Sequence, residues 1–373
     1  MKIKFFGIDR QYQNLRSEIL EITDSVLSTG HVLDGVYVNR FEKQMAQRCG
    51  RKYAVAVNSG TQALVFAQHN MNHTVNLMDQ EEKVLIPGVS FVATLNSVIQ
   101  AGNTPVFCDV DDRCHMDLGN FDIALTGAGI TTVMYVNIFG NCLDYDKLKL
   151  ICGFFNPHQE IKIIEDAAQS FGASYKGRPS GSLGDISVLS FDPTKNLNNY
   201  GSGGMLLTDD ETVANELRDL RGNGRHTGHG ESGTNSKMSE VDCAQMLIKL
   251  QYFDSWQKRR TEIAEYYVEH LSGFVDIILP EQDTVSSWHK FVIRPFIRSK
   301  LINYLRDCDI ETKIHYDTAL HEYSIAYHFD RPAQMRYSEA HSREAMSLPI
   351  YPELTDAEVE HVVNSIRKFY RDE

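Results

Sequence analysis

The sequence predicts an α/β protein, with a large domain around a mostly parallel central sheet and a smaller C-terminal α+β domain. Short apolar runs rich in β-branched residues recur between residues 53 and 208, and helix-capable segments separate most of them. Strands that alternate with helices form mostly parallel sheets covered on both faces. From residue 273 onward the strand and helix patterns are mixed. This change of pattern indicates a second unit of different architecture.

The first elements follow from hydrophobic periodicity. Residues 12–29 carry apolar side chains at helical spacing and stop at Gly30, which predicts a helix with a glycine end. ISVLSF and GGMLLTDD follow each other closely, so we expect them to pair as neighbouring strands. The other strand candidates are YAVAV (53–57), KVLIPG (83–88), TPVFCDV (104–110), TTVMYVNIFG (131–140) and IKIIEDAA (161–168).

The C-terminal part begins with a long helical pattern. Residues 239–272 are strongly helical in pattern, and two further helices are predicted over 299–308 and 355–371. HKFVIRPF and ETKIHY are the strand candidates of this part. Because 373 residues are many for one core, two domains are expected. We place them at residues 1–250, the large domain, and 251–373, the small C-terminal domain.

Composition excludes several classes of protein. The formal net charge is −13, which argues against nucleic-acid binding because such binding depends on clustered Lys and Arg. No signal peptide and no apolar run of membrane-spanning length is present, so no membrane partner is expected. The seven cysteines are scattered singly, which favours a reduced, cytoplasmic setting. His226 and His229 are the nearest approach to metal-ligand spacing, and a polar loop is the favoured interpretation, so no metal site is predicted.

Chemistry is expected at the strand ends, because ligands of open α/β sheets bind outside the carboxyl ends of the strands. In NSGTQAL a strand ends, the chain turns, and a helix begins at Gly60 and Thr61. The free N–H groups and the dipole of a helix N-terminus favour a phosphate there. A simple turn with a Ser or Thr cap is the alternative.

Asp166 directly follows a β-branched apolar run. A carboxylate at the end of a buried strand needs a cation or several hydrogen-bond donors, and a protonated ring nitrogen is one such cation. Gln169 lies three residues further on and could reach the same pocket. A helix-capping aspartate is the alternative interpretation.

The stretch SFDPTKN places Ser190 and Lys195 after another buried strand. A lysine can form a Schiff base with an aldehyde cofactor, and a pocket that lowers its pKa favours the reaction. Pyridoxal 5′-phosphate needs such a lysine, a carboxylate for its ring nitrogen, a phosphate cradle and a flat group against its ring. Lys195, Asp166, the Gly60–Thr61 turn with Ser190, and Phe91 meet these four needs.

The order of these motifs along the whole chain resembles the DegT/DnrJ/EryC1/StrS family of pyridoxal-phosphate-dependent sugar aminotransferases. The motifs that carry the resemblance are NSGTQAL, SFVAT, IEDAAQSFGA, GDISVLSFDPTKN, GSGG, GTNSKMSEVDCAQM, IHY and SLPIYPELT. The resemblance implies aminotransferase fold type I and a homodimer with active sites at the subunit interface. It also implies transfer of an amino group, usually from L-glutamate, to a keto group of a nucleotide-linked sugar.

The resemblance also implies roles for individual residues. Lys195 would join the cofactor aldehyde and shuttle protons, and Asp166 would pair with the ring nitrogen. Asn235 would reach the cofactor phosphate of the neighbouring subunit. The remaining roles are Gln169 near the ring hydroxyl, Gly60, Thr61 and Ser190 at the phosphate, Phe91 on the ring, and His315, Tyr316 and Lys237 at the substrate.

The position of amination follows from a finer resemblance. Carbon-4 members tend to have SFH before the lysine, with a threonine pair and EGG after it. Here the stretch is SFDPTKNLNNYGSGG, which resembles carbon-3 members, as does the opening FFGIDRQYQNL. We therefore expect an NDP-3-keto-6-deoxyhexose, dTDP-linked, as acceptor. Amination at carbon 4 and a non-catalytic, cofactor-binding regulatory protein are the alternatives, and Lys195 argues against the second because only a catalytic chain needs a proton shuttle.

Overall fold

The strands that the structure describes lie in three sheets, of which the largest has seven strands. The structure is a computed structural model that describes residues 2–72, 82–119, 129–155, 161–225, 233–329 and 334–372. The strands described are β1 (Tyr53–Val57), β2 (Lys83–Pro87), β3 (Thr104–Cys108), β4 (Ile130–Val136), β5 (Lys162–Asp166), β6 (Ser174–Tyr175), β7 (Arg178–Pro179), β8 (Ile186–Ser190), β9 (Gly204–Thr208), β10 (Asp276–Ile277), β11 (Thr284–Val285), β12 (Phe291–Arg294) and β13 (Met346–Leu348).

The large sheet is parallel apart from β9. Its strand order is β1-β9-β8-β5-β4-β2-β3, and β9 runs antiparallel to both of its neighbours. Leu189 of β8 faces Met205 of β9 in the register, so the predicted pairing of these two strands is confirmed. β5 lies at the centre, parallel to β4 and β8, and its last residue, Asp166, therefore ends at the same edge of the sheet as Ser190 of β8.

Helices cover both faces of this sheet, as the sequence predicts. The helices described are α1 (Ile8–Thr29), α2 (Val36–Arg48), α3 (Gly60–Asn72), α4 (Ala93–Gln100), α5 (Tyr145–Phe155), α6 (Glu211–Arg221), α7 (Glu240–Leu271), α8 (Arg298–Asp307), α9 (Arg336–Glu344) and α10 (Asp356–Asp372). Alternate residues of β1 point to opposite faces. Val55 and Val57 pack in the core with α3, α4 and α6, whereas Ala54 and Ala56 pack with α2 and α7.

A separate core fills the C-terminal part. The second half of α7 packs there with β12, β13, α8 and α10, and Ile3 from the N-terminus joins the same cluster. Helix α7 also packs with α2 through its first half, so one helix belongs to both cores. The predicted boundary between residues 250 and 251 falls inside α7 and stays a prediction.

The structure corrects two of the predicted strands. β4 ends at Val136, because Asn137 starts a turn over Ile138–Gly140. Residues 311–316 do not form a strand; Lys313 alone makes a bridge with Ser347 of β13. The segment is held by side chains instead: His315 Nδ1 lies 2.8 Å from Ser347 Oγ, and Tyr316 is hydrogen-bonded to a glutamine of another loop.

The sequence predicts no membrane partner and no metal site. None of the described helices combines the length and the apolar character needed to cross a bilayer. His226 and His229 lie outside the described residues.

Candidate active site

A cavity of about 330 Å³ lies where β5 and β8 end and α3 begins. Its position agrees with the rule that ligands of such sheets bind at the carboxyl ends of the strands. The sequence-predicted site residues among those that line it are Gly60, Thr61, Phe91, Asp166, Gln169, Ser190, Lys195, His315 and Tyr316. Residues far apart in the sequence are therefore brought together around one space.

The start of α3 forms a cradle beside Ser190. A Cβ atom on Gly60 would lie 2.7 Å from Ser190 Cβ, and one on Gly204 would lie 2.4 Å from the carbonyl carbon of Ser59. Glycine at both positions lets the turn before α3 cross closely over β9 and reach Ser190. Ser59 caps the helix by accepting a hydrogen bond from the Gln62 N–H (3.1 Å). The N-terminal amides of a helix form an anion-binding site.

Asp166 is buried at the end of β5, with its carboxylate in the cavity. Its two oxygens accept hydrogen bonds from the Ala168 N–H (3.1 Å) and from the Thr94 hydroxyl (3.1 Å). Burial raises the pKa of Asp166, while the Ala168 amide, the Lys195 ammonium group and the Thr94 hydroxyl oppose this shift. A positively charged ring nitrogen would complete the set of partners.

Lys195 lies in the loop after β8. Burial lowers the pKa of its amine, and the carboxylates of Asp166 and Asp192 act against that shift. The loop is held by buried asparagines: the Asn196 side chain donates to Ser287 O (2.7 Å), and the Asn199 side chain donates to Asp242 Oδ1 (2.8 Å). An amine with a lowered pKa is more often neutral and nucleophilic.

Gln169, Tyr316 and Phe91 form one wall of the cavity. Gln169 Oε1 accepts from the Phe139 N–H (3.2 Å), and its amide donates to the Tyr316 hydroxyl (3.1 Å). The rings of Phe91 and Tyr316 lie 6.1 Å apart, centroid to centroid. Burial raises the pKa of Tyr316, so its hydroxyl stays protonated at neutral pH.

His315 is neutral. Burial, followed by the charges of Lys290, Lys195 and Lys313, lowers the pKa of its ring to about 2. Its backbone carbonyl is 2.8 Å from His341 Nε2. The ring can therefore offer a neutral donor or acceptor to a ligand.

Asn235 and Lys237 do not line the cavity of this chain. Asn235 makes a β-bridge with Gly222, and Lys237 forms an ion pair with Asp34. If Asn235 acts in the site of a neighbouring subunit, it must lie outside the cavity of its own chain, as it does here. The roles of both residues stay predictions.

Several lining residues were missed by the sequence reasoning. They include Phe6, Ser59, Ser90, Thr94, Asp192, His289, Lys290 and Lys313. Thr94 ends the motif SFVAT, so its contact with Asp166 had a signal in the sequence. Lys290 and Lys313 lay inside predicted strands, where a single lysine carries no signal of its own.

The donor set fits pyridoxal phosphate. The Gly60 cradle suits a phosphate, since a side chain at that position would fill the space. Asp166 suits a protonated ring nitrogen, Lys195 an aldehyde, and the half-exposed Phe91 a flat ring. Together they can hold the group at its phosphate, ring and aldehyde ends.

Comparisons with known proteins agree with this chemistry. A sequence model of the DegT/DnrJ/EryC1/StrS aminotransferase family matches residues 13–367. The dTDP-3-amino-3,6-dideoxy-alpha-D-galactopyranose transaminase of Aneurinibacillus thermoaerophilus is 33% identical over 374 residues, covering 98% of this chain and 99% of the relative. A pleiotropic regulatory protein of Geobacillus stearothermophilus is 30% identical over 385 residues, covering 100% and 99%. The crystal structure of DesV from S. venezuelae superposes with a TM-score of 0.92 at 30% identity, covering 99% of this chain and 98% of that chain.

Proposed function

The chain belongs to the DegT/DnrJ/EryC1/StrS aminotransferase family, and we propose that it transfers the amino group of L-glutamate to the 3-keto group of a dTDP-linked 6-deoxyhexose. The protein is a pyridoxal-phosphate-dependent sugar aminotransferase. The observation that carries the proposal is the meeting of Lys195, Asp166 and the Gly60–Ser190 cradle in one cavity.

The cofactor supplies an aldehyde that accepts the amino group and a ring that withdraws electrons from the adjoining carbon. We assign the phosphate to Ser190 and the amides at the start of α3. The Asp166 carboxylate would hold a proton on the ring nitrogen, and hydrogen bonds from Thr94 and Ala168 fix that carboxylate in place.

Lys195 moves the protons. With the cofactor bound, its Nζ would take the proton from the α-carbon of the donor amino acid and hold it for the return transfer. With the acceptor sugar, the same amine would deliver a proton to the carbon that receives the amino group. Burial lowers the pKa of Lys195, which favours the neutral amine that proton abstraction requires.

The sugar lies between the loop after Lys195 and the residues His315 and Tyr316. Gln169 orients the Tyr316 hydroxyl, and the Ser347 hydroxyl orients the His315 ring. The position of the bound sugar decides which of its carbonyl carbons lies next to the amine to be transferred. A displacement of about 1 Å can change a rate on the order of 100-fold. The carbon-3 motif features and the Aneurinibacillus relative support amination at carbon 3.

The position is tested with two acceptors. The holoenzyme and L-glutamate are incubated separately with a 3-keto and a 4-keto dTDP-6-deoxyhexose, and the new amine is located by NMR. We expect a product aminated at carbon 3. A product aminated only at carbon 4 would contradict the position and leave the aminotransferase assignment standing.

A regulatory role is the second candidate, because one relative is named a pleiotropic regulatory protein. A protein that binds the cofactor without turnover needs no proton-transferring lysine, so Lys195 favours the enzyme. L-Glutamate separates the two: an enzyme releases 2-oxoglutarate, and a binding protein does not.

We also propose that two subunits share the sites and that Asn235 acts in the partner's site. Lys195→Ala subunits are mixed with Asn235→Ala subunits under conditions that allow exchange. A hybrid dimer would carry both lesions in one site and leave the other intact, so activity returns. Exchange without any return of activity would refute the role of Asn235.

A further inference from the structure

Two lysines besides Lys195 line the cavity, Lys290 and Lys313. Lys290 stands just before β12 and is only 5% exposed. Its Nζ lies 4.5 Å from the centre of the Phe6 ring, and Nζ of Lys313 lies 5.7 Å from the same ring. The half-buried Phe6 therefore lies beside both ammonium groups, at the side of the cavity that His315 also lines.

Neither ammonium group has a carboxylate partner within ion-pair distance in the part of the chain that the structure describes. Contacts with the faces of aromatic rings offset only part of the free energy of burying a charge. The pKa of Lys290 is lowered well below its usual value by burial and then by the charges of Lys195 and Arg260, while Asp192 opposes the shift. The buried amine of Lys290 therefore lacks an anion, and a bound carboxylate would stabilise its ammonium form.

The acidic residues of the cavity are already engaged. Its lining contains two carboxylates, Asp166 and Asp192, against three lysines. Asp192 accepts hydrogen bonds from the amide (2.9 Å) and the hydroxyl (2.6 Å) of Thr194. Once the cofactor occupies Asp166 and Lys195, the amines of Lys290 and Lys313 remain at the cavity without a carboxylate partner among the described residues, in a protein whose net charge is −13.

We propose that Lys290 and Lys313 form a carboxylate subsite that binds an acidic group of a substrate. Lysine suits this task as a mobile point charge with three donors. The proposal rests on the proposed function, in which donor and acceptor enter the same cavity in turn. The carboxylate belongs either to the amino donor or to an acidic sugar, and the chemistry of recognition is the same in both.

The donor arm uses the holoenzyme with Lys290→Gln and Lys313→Gln, which remove the charge, and Lys290→Arg, which keeps it. Glutarate carries both carboxylates of glutamate, the α-carboxylate and the side-chain carboxylate, without the amino group, so its binding, measured by calorimetry, does not depend on turnover. We expect Lys290→Gln to weaken glutarate binding at least tenfold, Lys313→Gln less because Lys313 is exposed, and Lys290→Arg to restore most of it. Lys258→Gln, on the exposed side of α7, serves as the matched control.

The acceptor arm compares a neutral dTDP-3-keto-6-deoxyhexose with its 6-carboxylate counterpart. If Lys290→Gln weakens glutarate binding and raises the KM for L-glutamate but changes neither sugar, the subsite belongs to the donor. An at least tenfold rise in KM for the acidic sugar alone assigns it to the acceptor. Both results support the proposal.

Two results would overturn it. The first is that Lys290→Gln binds glutarate and both sugars with affinities within twofold of those of the wild type. The other is a loss that appears only in the affinity for pyridoxal phosphate, which would make Lys290 a cofactor ligand. Failure of the wild-type protein to aminate any sugar would instead count against the proposed function, since glutarate binding would still report on the subsite.

Discussion

At the residue scale, the neighbouring residues Glu165 and Asp166 of β5 have different roles. Glu165 stabilises the fold, and Asp166 lines the cavity. Successive side chains of a strand point to opposite faces. Glu165 is fully buried and accepts hydrogen bonds from Asn137 (2.8 Å), the Leu183 N–H (2.8 Å) and the Ser187 hydroxyl (2.7 Å). It fixes the turn after β4 and the loop before β8. Asp166, on the other face, opens into the cavity.

We predict that Asp166→Asn lowers kcat on the order of 100-fold, or ~2.7 kcal/mol of transition-state stabilisation. The amide keeps the shape but no longer holds a proton on the ring nitrogen. The measurement is turnover per cofactor-loaded subunit. Glu165→Gln is the matched control: it should lower the free energy of unfolding and leave that turnover within a few-fold. Equal turnover of Asp166→Asn and wild type would contradict the role of Asp166.

Which of these residues the sequence could predict depends on what a side chain does. Asp166 and Lys195 follow apolar runs at strand ends, so their positions alone pointed to a site. Asn137 was not predicted as a functional or structural residue, and only the structure explains it, through its contacts with Glu165 and the Leu143 N–H (3.0 Å). The place of Lys290 in the cavity could not be predicted from the sequence. Its ammonium group lies next to Phe6, which is far from Lys290 in the sequence.

At the element scale, the start of α3 depends on two close approaches of backbone. Gly60 lies against Ser190, and Gly204 lies under the carbonyl of Ser59. The motifs NSGT and GSGG therefore serve one structure, although they are separated by more than a hundred residues. The phosphate cradle exists only when α3 and β9 meet at this distance.

Gly60→Ala should raise the Kd for pyridoxal phosphate at least tenfold. Its Cβ would lie 2.9 Å from Ser190 Oγ, so either the helix start or the hydroxyl must move. Titration of the apoprotein with cofactor, followed by absorbance, gives the Kd. Gly153→Ala in α5 is the control, because nothing lies within 4 Å of the added atom. A Kd within twofold of wild type would refute the cradle.

The segment 311–316 shows why a strand pattern failed at this scale. Its alternation matched a strand, but β12 already has β10 and β13 as neighbours, and only Lys313 reaches β13. Hydrogen bonds of His315 and Tyr316 direct the rest of the segment to the cavity. A sequence pattern does not show which side-chain hydrogen bonds hold a segment away from a sheet.

At the scale of the whole molecule, an ion pair joins the N-terminal helix to the C-terminal one. Arg10 of α1 donates to both oxygens of Glu358 of α10 (2.8 and 2.6 Å) and to the Glu353 carbonyl (3.1 Å). The hydrogen bonds from Arg10 lower the pKa of Glu358 from 4.5 to about 2. Folding is therefore linked to the charge of this carboxylate.

We predict that Arg10→Met lowers the free energy of unfolding at pH 7 by about 1–3 kcal/mol. The folded-state pKa of Glu358 is depressed, so the stabilisation is complete above the unfolded pKa and is lost as pH falls from 4.5 toward about 2. Urea unfolding at fixed protein concentration, at pH 7 and at pH 3, measures it. Arg48→Met removes a more exposed pair with Asp254 and should lose less than about 1 kcal/mol. A loss in Arg10→Met that is the same at both pH values would contradict the linkage.

More of the large sheet than of the C-terminal part could be predicted from the sequence. Buried parallel strands give long apolar runs with sharp polar ends, and β5 and β8 were visible for that reason. The C-terminal strands β10, β12 and β13 are two to four residues long, and their pairing depends on a core shared with α7 and Ile3. Such contacts between distant segments leave no local pattern.

The most direct test of the central claim uses no sugar. The holoenzyme is mixed with L-glutamate alone, and the 2-oxoglutarate released is counted per subunit for wild type and for Lys195→Ala. An aminotransferase that relies on Lys195 releases about one equivalent in the wild type, because the amino group stays on the cofactor, and none on the same timescale in the variant. Release by Lys195→Ala at the wild-type rate, or no release by the wild type with any amino acid, would contradict the account.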